Sequence, residues 1–314
     1  MLIIGFLLLI VGADLLVRGS SNIAKKFHIS EILIGLTIVA VGTSMPELII
    51  TISSAQRGST DLIIGNAIGS NICNLLLIMS IMAILRPIKF DRETKIIHLP
   101  VALISTLVIL GMGLGILGSQ HNVISKVDGI ILVALYLIYF IYPIIIEIRN
   151  VDKSIKENNK NRVKLKEILH SIFFILIGVE LLKYGGDLVV DKATEIAMEY
   201  GITERVIGLT IVAIGTALPE FITSIMAVIE KDEDLATGNL IGSCILNSFL
   251  ILGVGAVITP LTFSHEFINN LILLTCAIIL IWIFCFIGKK NTLTRIKALP
   301  LLALFIIYMI RLFR

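Results

Sequence analysis

The stretch "VAVGTSMPEL", residues 39–48, lies inside an apolar run, yet it carries Gly42, Thr43, Ser44, Pro46 and Glu47. A near copy, "VAIGTALPEF", returns at 212–221. A charge at the middle of a bilayer costs at least ~2.5–3.5 kcal/mol, and a proline inside a helix removes a hydrogen bond and breaks or kinks the rod. A combination so costly, present twice, points to a functional pair of broken helices.

The surrounding sequence supports a membrane setting. Of 314 residues, 57% are apolar and 16% charged, with a mean hydropathy of +1.00; soluble domains carry roughly 25% charged residues. Apolar stretches fall at 1–19, 31–55, 61–85, 97–118, 127–148, 168–190, 205–229, 235–258, 267–287 and 296–313. Each approaches the ~20 residues that cross ~30 Å of hydrocarbon. The expected class is therefore an all-α polytopic membrane protein with ten transmembrane helices. The first stretch, "MLIIGFLLLIVGAD", lacks a basic leader and a small-residue cleavage site and reads as the first helix. The loops after spans 1, 3, 5, 7 and 9, with Arg18 and Lys297 at the adjoining span ends, hold 19 of the 26 Lys and Arg, so the positive-inside rule places both termini on the extracellular side of a cell membrane. The four cysteines sit in spans without paired spacing, which argues against disulfides and a zinc knot.

A shift of 173 residues sets 12–78 against 185–251 without a gap, with 32 identities in 67 positions. The matches include "GLTIVA" at 35–40 and 208–213, Gly65-Asn66 with Gly238-Asn239, Gly69-Ser70 with Gly242-Ser243, and Asn74 with Asn247. This duplication divides the chain into a first five-helix repeat, 1–148 (motif 35–78), and a second, 167–314 (motif 208–251). The polar, Asn/Lys-rich join at 149–166 is expected to be a mobile cytoplasmic linker. Five spans per unit is odd, so the second copy enters the membrane from the opposite side, an arrangement that transporters use to bind cargo near the midplane.

Thr43 and Glu47 lie one turn apart across the break, as do Thr216 and Glu220, and each following span adds Ser70 and Asn74, or Ser243 and Asn247, at i, i+4. Carboxylates, hydroxyls, amide oxygens and carbonyls freed by proline are hard donors suited to Ca²⁺ and Na⁺. No His or Cys joins them symmetrically, which argues against zinc, copper or iron. The GxxxG spacings 65/69 and 238/242 would let helices approach closely.

"GTSMPE", "GTALPE", "GNAIGSNICN" and "GNLIGSCILN" resemble the α-repeats of the sodium/calcium exchanger branch of the calcium/cation antiporter superfamily, and the likeness spans both halves. The resemblance implies ten helices in two inverted repeats and exchange of Na⁺ for Ca²⁺ by alternating access. Carried over by position, Glu47, Glu220, Thr43 and Thr216 would bind Ca²⁺. Ser44, Ser70, Ser243, Asn74, Asn247 and the carbonyls of Ala40 and Ala213 would serve Na⁺. Two departures stand out: Ala217, where many relatives have Ser, and Asn247, where some have Asp. The second argues against K⁺ co-transport. The first keeps open an H⁺/Ca²⁺ exchanger, in which the glutamates take protons in place of Na⁺.

A Ca²⁺-permeable channel and an intramembrane carboxylate protease are weaker alternatives. No HExxH, GxSxG or P-loop pattern occurs, so a non-enzyme is expected. The expected partners are the two ions and the lipid bilayer, with no nucleic acid, no cofactor beyond the transported ions, and a monomer as the working expectation. Among other charges, Asp14 is expected to pair with Arg18, and Glu180 with Lys183. The five His residues (28, 98, 121, 170, 265) are assigned to helix ends and loops, and the acidic run "EKDEDLA", 230–236, to a solvated loop.

Overall fold

The computed structural model describes residues 2–27, 29–117, 122–157, 165–200, 213–287 and 292–312. It is a membrane helix bundle. In chain order come α1 (Leu2–Phe27), α2 (Glu31–Thr43), α3 (Met45–Gln56), α4 (Thr60–Leu85), α5 (Thr94–Gly113) and α6 (Lys126–Glu157). They are followed by α7 (Leu165–Glu199), α8 (Ala213–Thr216), α9 (Leu218–Ile229), α10 (Glu233–Ile258), α11 (His265–Phe284) and α12 (Arg295–Leu312). Among the described residues, seven helices are long and apolar enough to cross a bilayer, or eight when α2 and α3 count as one bent span. The expected span 205–229 begins outside the described residues, and α12 carries Arg295, Lys297 and Arg311.

The apolar helices divide by what they face. α4 and α10 are 78% buried over their most apolar windows, whereas α6 is 17% buried and exposes Ile138 and Tyr142. A bilayer solvates such an apolar exterior, so the two most buried helices are free to hold the polar residues that lipid would reject.

Two short antiparallel ribbons close the bundle. β1 (Ile88–Lys89) pairs with β4 (Thr292–Leu293), and β2 (Val123–Ile124) with β3 (Leu261–Thr262). α5 runs from the first ribbon to the second, and α11 runs back from the second to the first. Each is a helix of 20 residues, or about 30 Å, so the ribbons cap opposite ends of the bundle. Each ribbon joins a connection of the first half to one of the second.

α1 and α7 form a close antiparallel pair. A Cβ on Gly5, Gly12 or Gly19 would lie within 3.0 Å of Gly185, Gly178 or Ser171 backbone oxygens respectively. The seven-residue glycine spacing on both helices lets the backbones touch where lipid supplies no hydrophobic drive for association.

Several expectations need correction. The span expected to end at 148 runs on: α6 continues to Glu157, because 144–157 contains no Gly or Pro to stop it. His98 is no helix-end residue. It is buried within α5 and hydrogen-bonds Tyr139 at 3.0 Å; His28 and His121 lie outside the described residues. The acidic run is only partly solvated. Asp232 is buried, caps α10 by accepting from Leu235 N–H at 3.1 Å, and accepts from Ser21 Oγ at 2.6 Å. Arg18 does bind Asp14 at 2.9 Å, but no ion pair joins Glu180 to Lys183, whose ammonium lies 6.0 Å over the Tyr184 ring.

Candidate cation site

Pro46 acts as the sequence demands. α2 ends at Thr43, Ser44 adopts φ −86°, ψ 10°, and α3 restarts with Pro46 in its first turn, bent by 46° from α2. A proline there costs little, since the first-turn N–H groups lack helical partners anyway. The second break is alike: Ala217 takes φ −82°, ψ 0°, with Pro219 in the first turn of α9. The "GLTIVA" copy at 208–213 lies almost wholly outside the described residues. Ala213 opens α8. The Ala40 carbonyl accepts the Ser44 N–H at 3.0 Å and lies 3.4 Å from the Thr43 hydroxyl, so a cation would compete with that hydroxyl for its second lone pair.

Both breaks point their glutamates inward. Glu47 and Glu220 are 0% exposed, as are Ser70, Ser243, Asn74 and Asn247, and Thr43, Ser44 and Thr216 are buried. Ser70 donates to Glu47 at 3.2 Å; Ser44 and Ser243 donate to Glu220 at 2.7 and 3.4 Å. The same-face pairing of Thr43 with Glu47 does not describe the contacts. Thr43 sits beside Glu220 and Thr216 beside Glu47, so each threonine lies by the other half's carboxylate.

Neither glutamate has a Lys, Arg or His in ion-pair reach among the described residues, and each leaves one oxygen, Oε2, without a partner. The two carboxylates also repel one another. Such burial is severely penalised unless a cation compensates it. No group of three or more His, Cys, Asp and Glu is placed to hold a metal among the described residues, so a cation here would rely on two carboxylates plus neutral oxygens.

Supporting amides complete the wall. Asn74 and Asn247 lie at the start of equivalent π-helical turns, as second residue of Cys73–Ile78 and first of Asn247–Ile251, whose wider backbone is frequent at functional sites. Asn74 has neither amide atom paired, and Asn247 leaves its Oδ1 free while donating to Asn71 Oδ1 at 3.0 Å. Sequence reasoning missed Asn71, which bridges to the Cys244 carbonyl and Ser248 Oγ, each at 3.1 Å. Its counterpart under the 173-residue shift is Cys244, so symmetry gave no signal.

Asn66 and Asn239 were legible in the repeated Gly-Asn pairs but were not read as site residues. Thr43 donates to Asn239 Oδ1 at 3.0 Å, and Thr216 to Asn66 Oδ1 at 3.2 Å. Asn239 also donates to Ser224 Oγ at 3.0 Å. The equivalent donor and acceptor, Asn66 Nδ2 and Thr51 Oγ1, both lack a partner among the described residues. The tight approach expected of Gly238 and Gly242 is present: their Cβ positions would fall 2.4 Å from the Ile32 carbonyl and 2.8 Å from Leu36 Cα. Gly65 and Gly69 have no comparably close neighbour among the described residues.

The sequence profile of the family described as "Sodium/calcium exchanger protein" matches residues 1–145 and 170–314. The chain belongs to the sodium/calcium exchanger family. Inner membrane protein YrbG of Escherichia coli (strain K12) is 33% identical, the match covering 90% of this chain and 88% of that one. Sodium/calcium exchanger MaX1 of Methanosarcina acetivorans is 28% identical over 99% of this chain and 97% of its own. Solved structures of the sodium-calcium exchanger NCX_Mj superpose with a TM-score of 0.83 at 30% identity, covering 98% of this chain and 95% of the other. Membership in this exchanger family makes the chain a multi-pass membrane transport protein rather than an enzyme, and an antiporter of the cation/Ca²⁺ type.

Proposed function

We propose that this protein exchanges Na⁺ for Ca²⁺ across the cell membrane by alternating access. The carrying observation is the pair of fully buried glutamates, Glu47 and Glu220, each with an oxygen that nothing among the described residues satisfies. Ca²⁺ binds between them with Thr43 and Thr216. Na⁺ ions use Ser44, Ser70, Ser243, Asn74, Asn247 and the carbonyls of Ala40 and Ala213. The ions compete because they draw on the same carboxylates. An empty site holds uncompensated charge in low dielectric, so crossing between states unloaded is disfavoured and exchange prevails over leak.

The scaffold in this reading is ten transmembrane helices in two inverted five-helix repeats, 1–148 and 167–314, joined by a cytoplasmic segment at 149–166, with both termini extracellular. Support comes from the two profile matches, one per half, the antiparallel α1/α7 pair, and ribbons that each join one half to the other. The unequal pairs Asn239–Ser224 and Asn66/Thr51 are what one end state of a two-state cycle presents, since inversion exchanges the conformations of the two copies.

Proton coupling is the second reading, and Ala217 favours it. Ser44 gives Glu220 a hydroxyl at 2.7 Å, while its counterpart Ala217 gives Glu47 none. The names of NCX_Mj and MaX1 favour Na⁺. Ca²⁺ uptake into proteoliposomes loaded with Na⁺, compared with vesicles carrying only an outward H⁺ gradient, separates them. Uptake driven by Na⁺ alone is expected; uptake driven only by protons moves the chain to the proton-coupled class.

A further inference from the structure

A crevice of about 250 Å³ opens beside the buried glutamates. It is lined by buried Thr216 and Pro219, by Pro46 from the other half, and by exposed Asp187 and Asp191 of α7. Pro46 and Pro219 directly precede Glu47 and Glu220, whose Oε2 atoms lack partners. The crevice thus places two exposed carboxylates on the same cavity wall as Thr216, which sits beside Glu47.

The same positions in the first half are built differently. The 173-residue shift sets Asp187 against Asp14 and Asp191 against Arg18. Arg18 neutralises Asp14 at 2.9 Å and also reaches Glu230 at 3.4 Å. On α7 the turn after Asp187 brings a second carboxylate instead of a guanidinium. Neither Asp187 nor Asp191 has an ion-pair partner among the described residues. The neighbouring Lys192 is bound to Glu195, and Lys183, one turn before Asp187, lines the crevice with its ammonium over Tyr184.

We infer that Asp187 and Asp191 are positioning residues for cation entry: they gather Ca²⁺ at the mouth of the crevice on one face only, and Lys183 opposes them. The inference rests on the antiport reading and adds where and how the cargo arrives. A cleft of net negative charge, here two carboxylates against one ammonium, raises local cation concentration and the association rate, and salt erases the effect. The glutamates that hold the ion in transit are untouched, so the entrance acts on apparent affinity and not on maximal turnover.

The test is Ca²⁺ uptake into right-side-out and inverted membrane vesicles from cells expressing wild type, Asp187→Asn/Asp191→Asn, Lys183→Met or Asp14→Asn. At low ionic strength the double variant should raise the apparent KM for Ca²⁺ roughly tenfold, with Vmax kept, in right-side-out vesicles only. Lys183→Met should lower KM in the same vesicles, a sign that loss of folded protein cannot produce. Both differences should collapse in a few hundred millimolar choline chloride, and Asp14→Asn should leave right-side-out uptake unchanged. An unchanged KM in the double variant, or equal changes in both vesicle orientations, overturns the entrance. Wild-type vesicles that take up no Ca²⁺ under either a Na⁺ or an H⁺ gradient overturn the antiport reading itself.

Discussion

Replacing Glu47 by Gln keeps the shape of the side chain and an acceptor for the Ser70 hydroxyl at 3.2 Å, but removes one of the two buried charges. The consequences for cation binding and for folding should differ in sign. Breaking a buried charge pair by removing one partner costs about 3–5 kcal/mol, and each ~1.4 kcal/mol is tenfold in Kd. The Ca²⁺ affinity should therefore fall by at least roughly 100-fold. The ion-free protein loses nothing comparable, because among the described residues Glu47 has no cationic partner and its Oε2 no hydrogen bond.

Thermal unfolding of the purified protein reads both effects. With Ca²⁺ at about 100 times the wild-type Kd, ligation stabilises wild type by ~2.7 kcal/mol. At 100-fold weaker affinity the same concentration stabilises the variant by only ~0.4 kcal/mol, so the Ca²⁺-induced rise in melting temperature should nearly vanish. Without Ca²⁺ the variant should melt no lower than wild type. A variant that keeps the full Ca²⁺ shift, or transports Ca²⁺ normally, refutes the site assignment. One that is clearly less stable without ions refutes the claim that the empty pocket holds uncompensated charge.

Gly35→Ala would drive a Cβ to 2.4 Å from the Leu235 carbonyl and 3.0 Å from Asn239 N–H. It should cost about 1–3 kcal/mol of stability and, by shifting the Asn239 that receives Thr43, raise the KM for Ca²⁺; thermal unfolding and uptake kinetics read the two effects, and wild-type values for both would mean the α2/α10 approach is looser than described. Ala217→Ser should supply Glu47 with the hydroxyl that Ser44 gives Glu220, so the Na⁺ concentration that half-inhibits Ca²⁺ uptake should fall several-fold, the scale of ~1 kcal/mol for one polar contact. Unaltered Na⁺ sensitivity would remove position 217 from the Na⁺ determinants.

Much of this protein is legible in the sequence alone. Composition and apolar run length specify a helical membrane protein, since an unpaired backbone cannot sit in lipid. The helix break at Pro46 follows from one missing N–H, and burial of Glu47 and Glu220 follows from the cost of charge in hydrocarbon. The reach of α6 to Glu157 was missed because a polar stretch without Gly or Pro reads as a linker but can continue a helix.

Tertiary packing decided which groups meet. Local spacing pairs Thr43 with Glu47, yet the packing of the two halves delivers Thr43 and Ser44 to Glu220. Asn71 enters the site through a contact with Cys244, its own counterpart in the other half, 173 residues away. Glycines at seven-residue intervals on α1 and α7 gain meaning only once the helices lie antiparallel. Sequence periodicity describes which face of one helix is polar. The partner of that face is chosen by backbone approach and by which buried donors remain unsatisfied, and those are properties of several helices at once.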